Sequence, residues 1–127
     1  MTAFVVKAPP QPEAERLTFH EKTMWRGRTI RAGDRVFLFA AEHFGGRGLF
    51  ARGVAHEVSP GVGSRITLTV QVEAKPKRPL GRAELLAFRG GGDNAPGPEL
   101  DHKLYEQATN KVAGISQEAE AFLDACF

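Results

Sequence analysis

The sequence predicts an α+β fold: a small sheet-built core in its first two-thirds, closed by two C-terminal helices. Three observations carry this. Short apolar or alternating segments recur as far as Glu73, separated by glycine turns. From Leu100 onward, apolar residues fall at helical spacing. Nothing between them alternates strand, helix and strand as βαβ units do, so a partly closed barrel with helices held to one end is expected. A chain of 127 residues suits one domain. Within it, 1–89 reads as the barrel core, 90–98 as a loop and 99–127 as a helical extension.

Phe4-Val5-Val6-Lys7 reads as a first strand, stopped by Pro9-Pro10, whose rings fix φ and remove two donors. Pro12 to Leu17 carries a helix-start signal, proline followed by acids, and predicts one helical turn. Thr18 to Arg31 is polar and basic without a clear period, which predicts a functional loop or crossover. After the turn Ala32-Gly33-Asp34-Arg35, the run Val36-Phe37-Leu38-Phe39-Ala40-Ala41 is apolar on both faces and predicts a strand buried on both sides. Gly45-Gly46-Arg47-Gly48 allows a sharp reversal into a strand from Leu49 to Val58, in which Gly53 marks a bulge or a close backbone approach.

Beyond a turn at Ser59 to Gly63, the segment Arg65 to Glu73 alternates strictly. Ile66, Leu68, Val70 and Val72 lie on one face, and this predicts an antiparallel edge or barrel wall. Lys75 to Pro79 breaks the sheet, and Arg82 to Phe88 predicts a short helix or a last strand. The first terminal helix is read from Leu100, Leu104, Ala108 and Val112, with Gly114 as its left-handed C-terminal residue. In the second, Ser116 caps a stripe of Ala119, Phe122, Leu123 and Cys126.

Charge is uneven although the net value is only +2. From Arg16 to Arg52 there are eight Lys or Arg against three acids, whereas from Glu99 to the end there are two against six. A basic face joined to an acidic tail suits anion binding, or is simply two solvated faces. The single Cys126 excludes an internal disulfide and suits a reducing compartment. The first residues lack the pattern of a signal peptide, and no apolar run approaches the roughly 20 residues of a membrane span. A cytoplasmic protein with no membrane partner is expected.

Four histidines at no ligand spacing and no CxxC pair argue against a metal site, and no cofactor is implied. Neither glycine-rich turn has the spacing of a phosphate loop. Glu21-Lys22-Thr23 brings a carboxylate, an amine and a hydroxyl within three residues, the ingredients of a lysine-activated hydroxyl nucleophile, or of an ordinary polar loop. Trp25 sits among Lys22, Arg26 and Arg28, while Phe44, Arg47, Phe50 and Arg52 surround the glycine turn. Aromatics interleaved with arginines can stack a base and hold its phosphate. The plainer reading makes the aromatics core and the arginines surface.

The stretch from Lys22 to Phe39, a basic loop followed by Gly33-Asp34-Arg35-Val36 opening a core strand, resembles the PUA-like superfamily, which includes the PUA, ASCH, EVE and YTH domains. The strand Gly48 to Val54 is similar to EVE-like members, and the likeness covers Phe4 to Phe88. It implies a small β pseudo-barrel with a side pocket. EVE and YTH members receive a modified base there, and some ASCH members bind RNA or hydrolyse modified nucleosides. By this resemblance Lys22-Thr23 matches the polar loop and Trp25 the place of a pocket aromatic. The glutamate-rich ASCH signature is incomplete, with Glu21 lying before the lysine.

Residues and resemblance together predict a binding module for nucleic acid, or for a modified base or nucleotide-like ligand. Trp25, Phe44 and Phe50 would stack, Arg26, Arg28, Arg47 and Arg52 would hold phosphates, and Thr23 would bond a base edge. Two alternatives stand beside it. One is a small amidohydrolase acting on modified nucleosides through Lys22, Thr23 and Glu21; the other is a protein-interaction module using the acidic C-terminal helices.

Overall fold

The computed structural model describes residues 2–91 and 95–127. Six strands close into a ring: β1 (Ala3–Ala8), β2 (Arg16–Met24), β3 (Arg35–Ala40), β4 (Gly48–Pro60), β5 (Arg65–Ala74) and β6 (Lys111–Ile115), in the spatial order β1-β3-β4-β5-β2-β6. The β1–β3 and β2–β6 pairs are parallel and the other four antiparallel. Helices α1 (Arg82–Leu86), α2 (Pro96–Asp101) and α3 (Gln117–Asp124) complete the α+β fold, and α2 runs on into a wide π turn, His102–Glu106.

Strand alternation produces two cores, one on each side of the wall. Phe4 and Val6 of β1, Val36 and Leu38 of β3, and Leu68 and Val70 of β5 fill the interior of the ring. The intervening Val5, Phe37 and Phe39 point outward and bury Leu85, Leu100, Leu104 and Leu123 of the helical layer. This explains why β3 reads as apolar on both faces. Each buried Phe contributes roughly 2–3 kcal/mol relative to exposure. The strictly alternating β5 is a wall strand, paired with both β2 and β4. Gly53 fulfils both expectations: the register shifts beside it, and a Cβ there would stand 2.1 Å from the Gln71 carbonyl oxygen.

Four expectations are corrected. The helical turn at Pro12 to Leu17 does not form, because Arg16 and Leu17 already pair with Gln71 and Val70. Thr18 to Met24 is not loop but most of β2; only Leu17 and Phe19 show the inward apolar face, and the charged residues beyond hide the period. The first terminal helix stops at Glu106, and Lys111 to Ile115 is a strand. The 99–127 segment therefore contributes a stave to the ring as well as helices, since β6 fills the place between β1 and β2 that would otherwise leave two open edges. Gly114 lies in that strand and serves close packing: a Cβ would meet the Trp25 carbonyl oxygen at 2.5 Å. Ser116 caps α3 as expected, accepting from the Ala119 N–H at 3.1 Å. Of the predicted 90–98 loop, residues 92–94 lie outside the described residues, and its last three residues are not loop: α2 already begins at Pro96, a proline suiting the first turn of a helix. No helix among the described residues is long and apolar enough to cross a membrane.

The turn that follows β2 is pressed against β6. A Cβ on Gly27 would stand 2.0 Å from the Val112 carbonyl oxygen, whereas one on Gly63, at φ +63, would meet nothing. Gly27→Ala is expected to lower stability by roughly 3 kcal/mol and Gly63→Ala by only about 1 kcal/mol, read from urea midpoints. Equal midpoints for the two variants would show that this turn can leave β6 freely.

Candidate functional site

The last carbonyls of a helix lack internal partners. Here two buried lysines, opposite each other on β1 and β6, supply donors to the end of the α2 segment. The Lys7 ammonium donates to the carbonyls of Leu104 (2.8 Å) and Ala108 (2.9 Å). Lys111 donates to those of Lys103 (2.6 Å) and Gln107. Burial, reinforced by the charges of Lys7 and Lys22, pushes the Lys111 pKa down to about 7. Burial lowers Lys7 as well, against the opposing charge of Glu42. The turn that these lysines hold walls two separate recesses.

The first recess, of about 480 Å³, lies where the end of β3 meets the turn. Phe44 stands at its rim, 56% exposed, with the His43 ring edge-on to it at 5.2 Å. At its base the buried Tyr105 hydroxyl donates to both Glu42 oxygens (3.0 and 3.1 Å), and Lys7 lies 4.7 Å over the Tyr105 ring. Glu42 also accepts the Arg82 backbone N–H at 2.7 Å. The Arg82 and Arg47 guanidinium groups have no carboxylate partner among the described residues, and Arg47 is exposed on the same turn as Phe44. This site combines an aromatic face, a polar floor and free cations.

The second recess, of about 630 Å³, lies beside Trp25 and is lined by Arg26, Arg89, Gly90, His102 and Lys103, among others. Trp25 is half-buried, edge-on to His102 at 5.8 Å, with the Lys103 ammonium 5.8 Å from its ring centre. Trp25 and Arg26 both take left-handed backbone (φ 45 and 65), costing roughly 1–2 kcal/mol each. The Gly114 N–H, donating to the Trp25 carbonyl at 2.8 Å, holds them there. Its cations are largely matched: Arg89 forks the fully buried Asp101 at 2.9 and 3.1 Å, and Lys103 donates to Glu99 at 3.0 Å. Arg26 is left without an acidic partner among the described residues.

The residues singled out in the sequence are thus not one cluster. Arg26 lines the second recess, with Trp25 beside it against His102, and Phe44 lines the first, with Arg47 on the adjoining turn. Phe50 packs on the ring interior. Arg52 donates to Asp124 at 2.9 Å and lies 4.8 Å over the Phe127 ring, so its charge is engaged within the fold. Arg28 donates to the Gly63 carbonyl (2.8 Å) and Thr23 to that of Ser64 (2.8 Å). Glu21, Lys22 and Thr23 are consecutive on β2, where neighbours face opposite ways, and they line neither recess. Sequence reasoning missed Lys7, Glu42, Tyr105 and Arg82. The signals present were a lone charge in the apolar Ala3–Ala8 strand and the chain's single tyrosine.

The fold is PUA-like, a ring of six strands with an attached helical layer. Human THYN1 in complex with DNA containing 5-methylcytosine is similar at a TM-score of 0.62 and 13% identity, over 98% of this chain and 96% of that one. The DUF55 domain of human thymocyte nuclear protein 1 is similar at 0.67 and 12%, over 96% of each chain. A protein from Rhodopseudomonas palustris is similar at 0.64 and 14%, over 99% of this chain and 93% of that one. No protein-family model matches the sequence, and no curated protein does.

The lysine pair makes stability depend on pH. A folded-state pKa near 7 for Lys111, against an ordinary 10.5, means the unfolded chain binds more protons above pH 7, so this group makes stability rise there. Tyr105 and Cys126, both shifted upward, oppose it only as pH approaches their ordinary values of 10.0 and 9.0. The urea midpoint is expected to rise from pH 7 towards pH 9, and Lys111→Met to flatten that rise. A wild-type midpoint falling across this window would contradict the lysine's strained burial.

Proposed function

We propose that this chain binds nucleic acid, or a modified base within it, and receives one base in the recess between Phe44 and Tyr105. The observation that carries the reading is Phe44: a phenylalanine left more than half exposed at the mouth of a polar-floored recess. Burying it would be favourable, and every base offers a π-face for it to cover. The free guanidinium groups of Arg82 and Arg47 supply what a phosphate needs close by. A recess of this volume suits a small planar ligand such as a single base. Human THYN1, of the same fold, is in complex with DNA containing 5-methylcytosine, which supports a nucleic-acid partner for this chain. The buried single thiol, Cys126, fits a reducing, cytoplasmic setting.

The Trp25 recess is a less suitable phosphate site, because its lysine and Arg89 are already neutralised by Glu99 and Asp101. The hydrolase alternative gains no support from a Thr23 hydroxyl directed at the Ser64 carbonyl. The acidic C-terminal helices are likewise less free to meet a partner, since Asp124 is shared by Arg35 and Arg52 and Glu99 is held by Lys103 and Ser116.

Phe44→Ala is expected to weaken binding of single-stranded oligonucleotides about tenfold to a hundredfold while leaving the unfolding free energy from urea titration within about 0.5 kcal/mol of wild type. Arg82→Ala is expected to reduce the slope of log affinity against log salt by about 1. Unchanged affinity in Phe44→Ala, or a salt slope near zero in the wild type, would rule this reading out.

A further inference from the structure

We infer that Glu42 selects the occupant of the Phe44 recess, favouring a heterocycle with an exocyclic amino group, as in cytosine, adenine or guanine, over one with only ring carbonyls, as in uracil or thymine. The inference rests on the base-binding reading and adds the edge that is recognised. It follows from an inventory of protons at the floor. The Tyr105 hydroxyl has one, and it is directed at Glu42. Burial, and then the Glu42 charge, hold that phenol protonated far above its ordinary range, so Tyr105 stays a donor spent on Glu42 and offers a ligand only lone pairs. Lys7 spends two of its three protons on the Leu104 and Ala108 carbonyls.

Glu42 has about four acceptor sites as a carboxylate. Tyr105 and the Arg82 N–H occupy part of that capacity, and the rest has no protein partner among the described residues. A ligand that covers Glu42 without offering a donor strands the remaining lone pairs away from water. An exocyclic amine supplies such donors directly, as in recognition of cytosine N4 by carboxylates. The N3–H of uracil or thymine lies between two carbonyl oxygens, so presenting it brings an acceptor against the carboxylate. Glu42 is also well fixed for this task. It sits two residues before Phe44 on one short turn, Glu42–Phe44, and Tyr105 and Arg82 hold both its oxygens.

The test is fluorescence anisotropy with labelled single-stranded dodecamers of deoxycytidine, deoxyadenosine and thymidine at one salt concentration. The deoxycytidine and deoxyadenosine strands should bind about tenfold to a hundredfold more tightly than thymidine. Replacing cytosine by N4,N4-dimethylcytosine, which removes both donors, should bring affinity down to the thymidine level, whereas 5-methylcytosine, which keeps them, should not. Glu42→Gln should close the gap between deoxycytidine and thymidine, and the dimethylated strand gives the same information without altering the protein. Equal wild-type affinity for all three strands overturns the selection by Glu42 while leaving base binding in place. Absence of binding to any strand overturns the base-binding reading itself, and this inference with it.

Discussion

Ring closure by β6 is the constraint on which the rest of the molecule depends. β1 pairs on one side with β3, and its other edge would be open without Lys111 to Ile115. β2 needs the same strand beyond its pairing with β5. The parallel contact with β2 is only two residue pairs long, Thr23 with Val112 and Met24 with Ala113. Close backbone approach compensates: Gly27 against Val112 and Gly114 against Trp25 bring the turn after β2 within distances no side chain would allow. β6 also places Lys111 beside Lys7, and those two ammonium groups fix the turn that walls both recesses. The closing strand thus shapes the functional surface as well as the core.

Part of the charge in this chain is used inward. The basic first half and acidic last segment suggest a binding face and a solvated tail, yet many of the opposite charges meet each other. Asp124 bridges Arg35 and Arg52, Asp101 takes Arg89, and Glu99 takes Lys103 and Ser116. Such pairs stabilise modestly at the surface, and losing one partner costs more where the other is fully buried, as Asp101 is. What matters for binding is what they leave over beside the recesses: Arg82 in the Phe44 recess with Arg47 on the adjoining turn, and Arg26 in the recess beside Trp25. A count of arginines along the sequence overstates the cations available to a ligand.

Much of the fold is legible in the chain because its signals are local. The two-faced apolar run of β3, the alternation of β5, the bulge at Gly53 and the Ser116 cap all depend on spacing or on one residue's chemistry. β2 and β6 are hidden because partners distant in sequence define them. β2 carries Arg16, Glu21 and Lys22 among its nine residues and shows little apolar face, and Val112 happens to continue a helical spacing from Leu100 and Leu104. The site is legible only in part for the same reason. Phe44 and Arg47 stand out beside a glycine turn, but Lys7, Glu42, Arg82 and Tyr105 come from four separate parts of the chain. Nothing local announces that Tyr105 donates to Glu42 across 63 positions.

The role of the Phe44 recess is tested most directly by a crystal structure of the protein with a short single-stranded deoxycytidine oligonucleotide. A cytosine ring stacked on Phe44, its amino group within hydrogen-bonding distance of Glu42, is the expected result. A base seated instead against Trp25 in the neighbouring recess, with Phe44 still open to water, would contradict it.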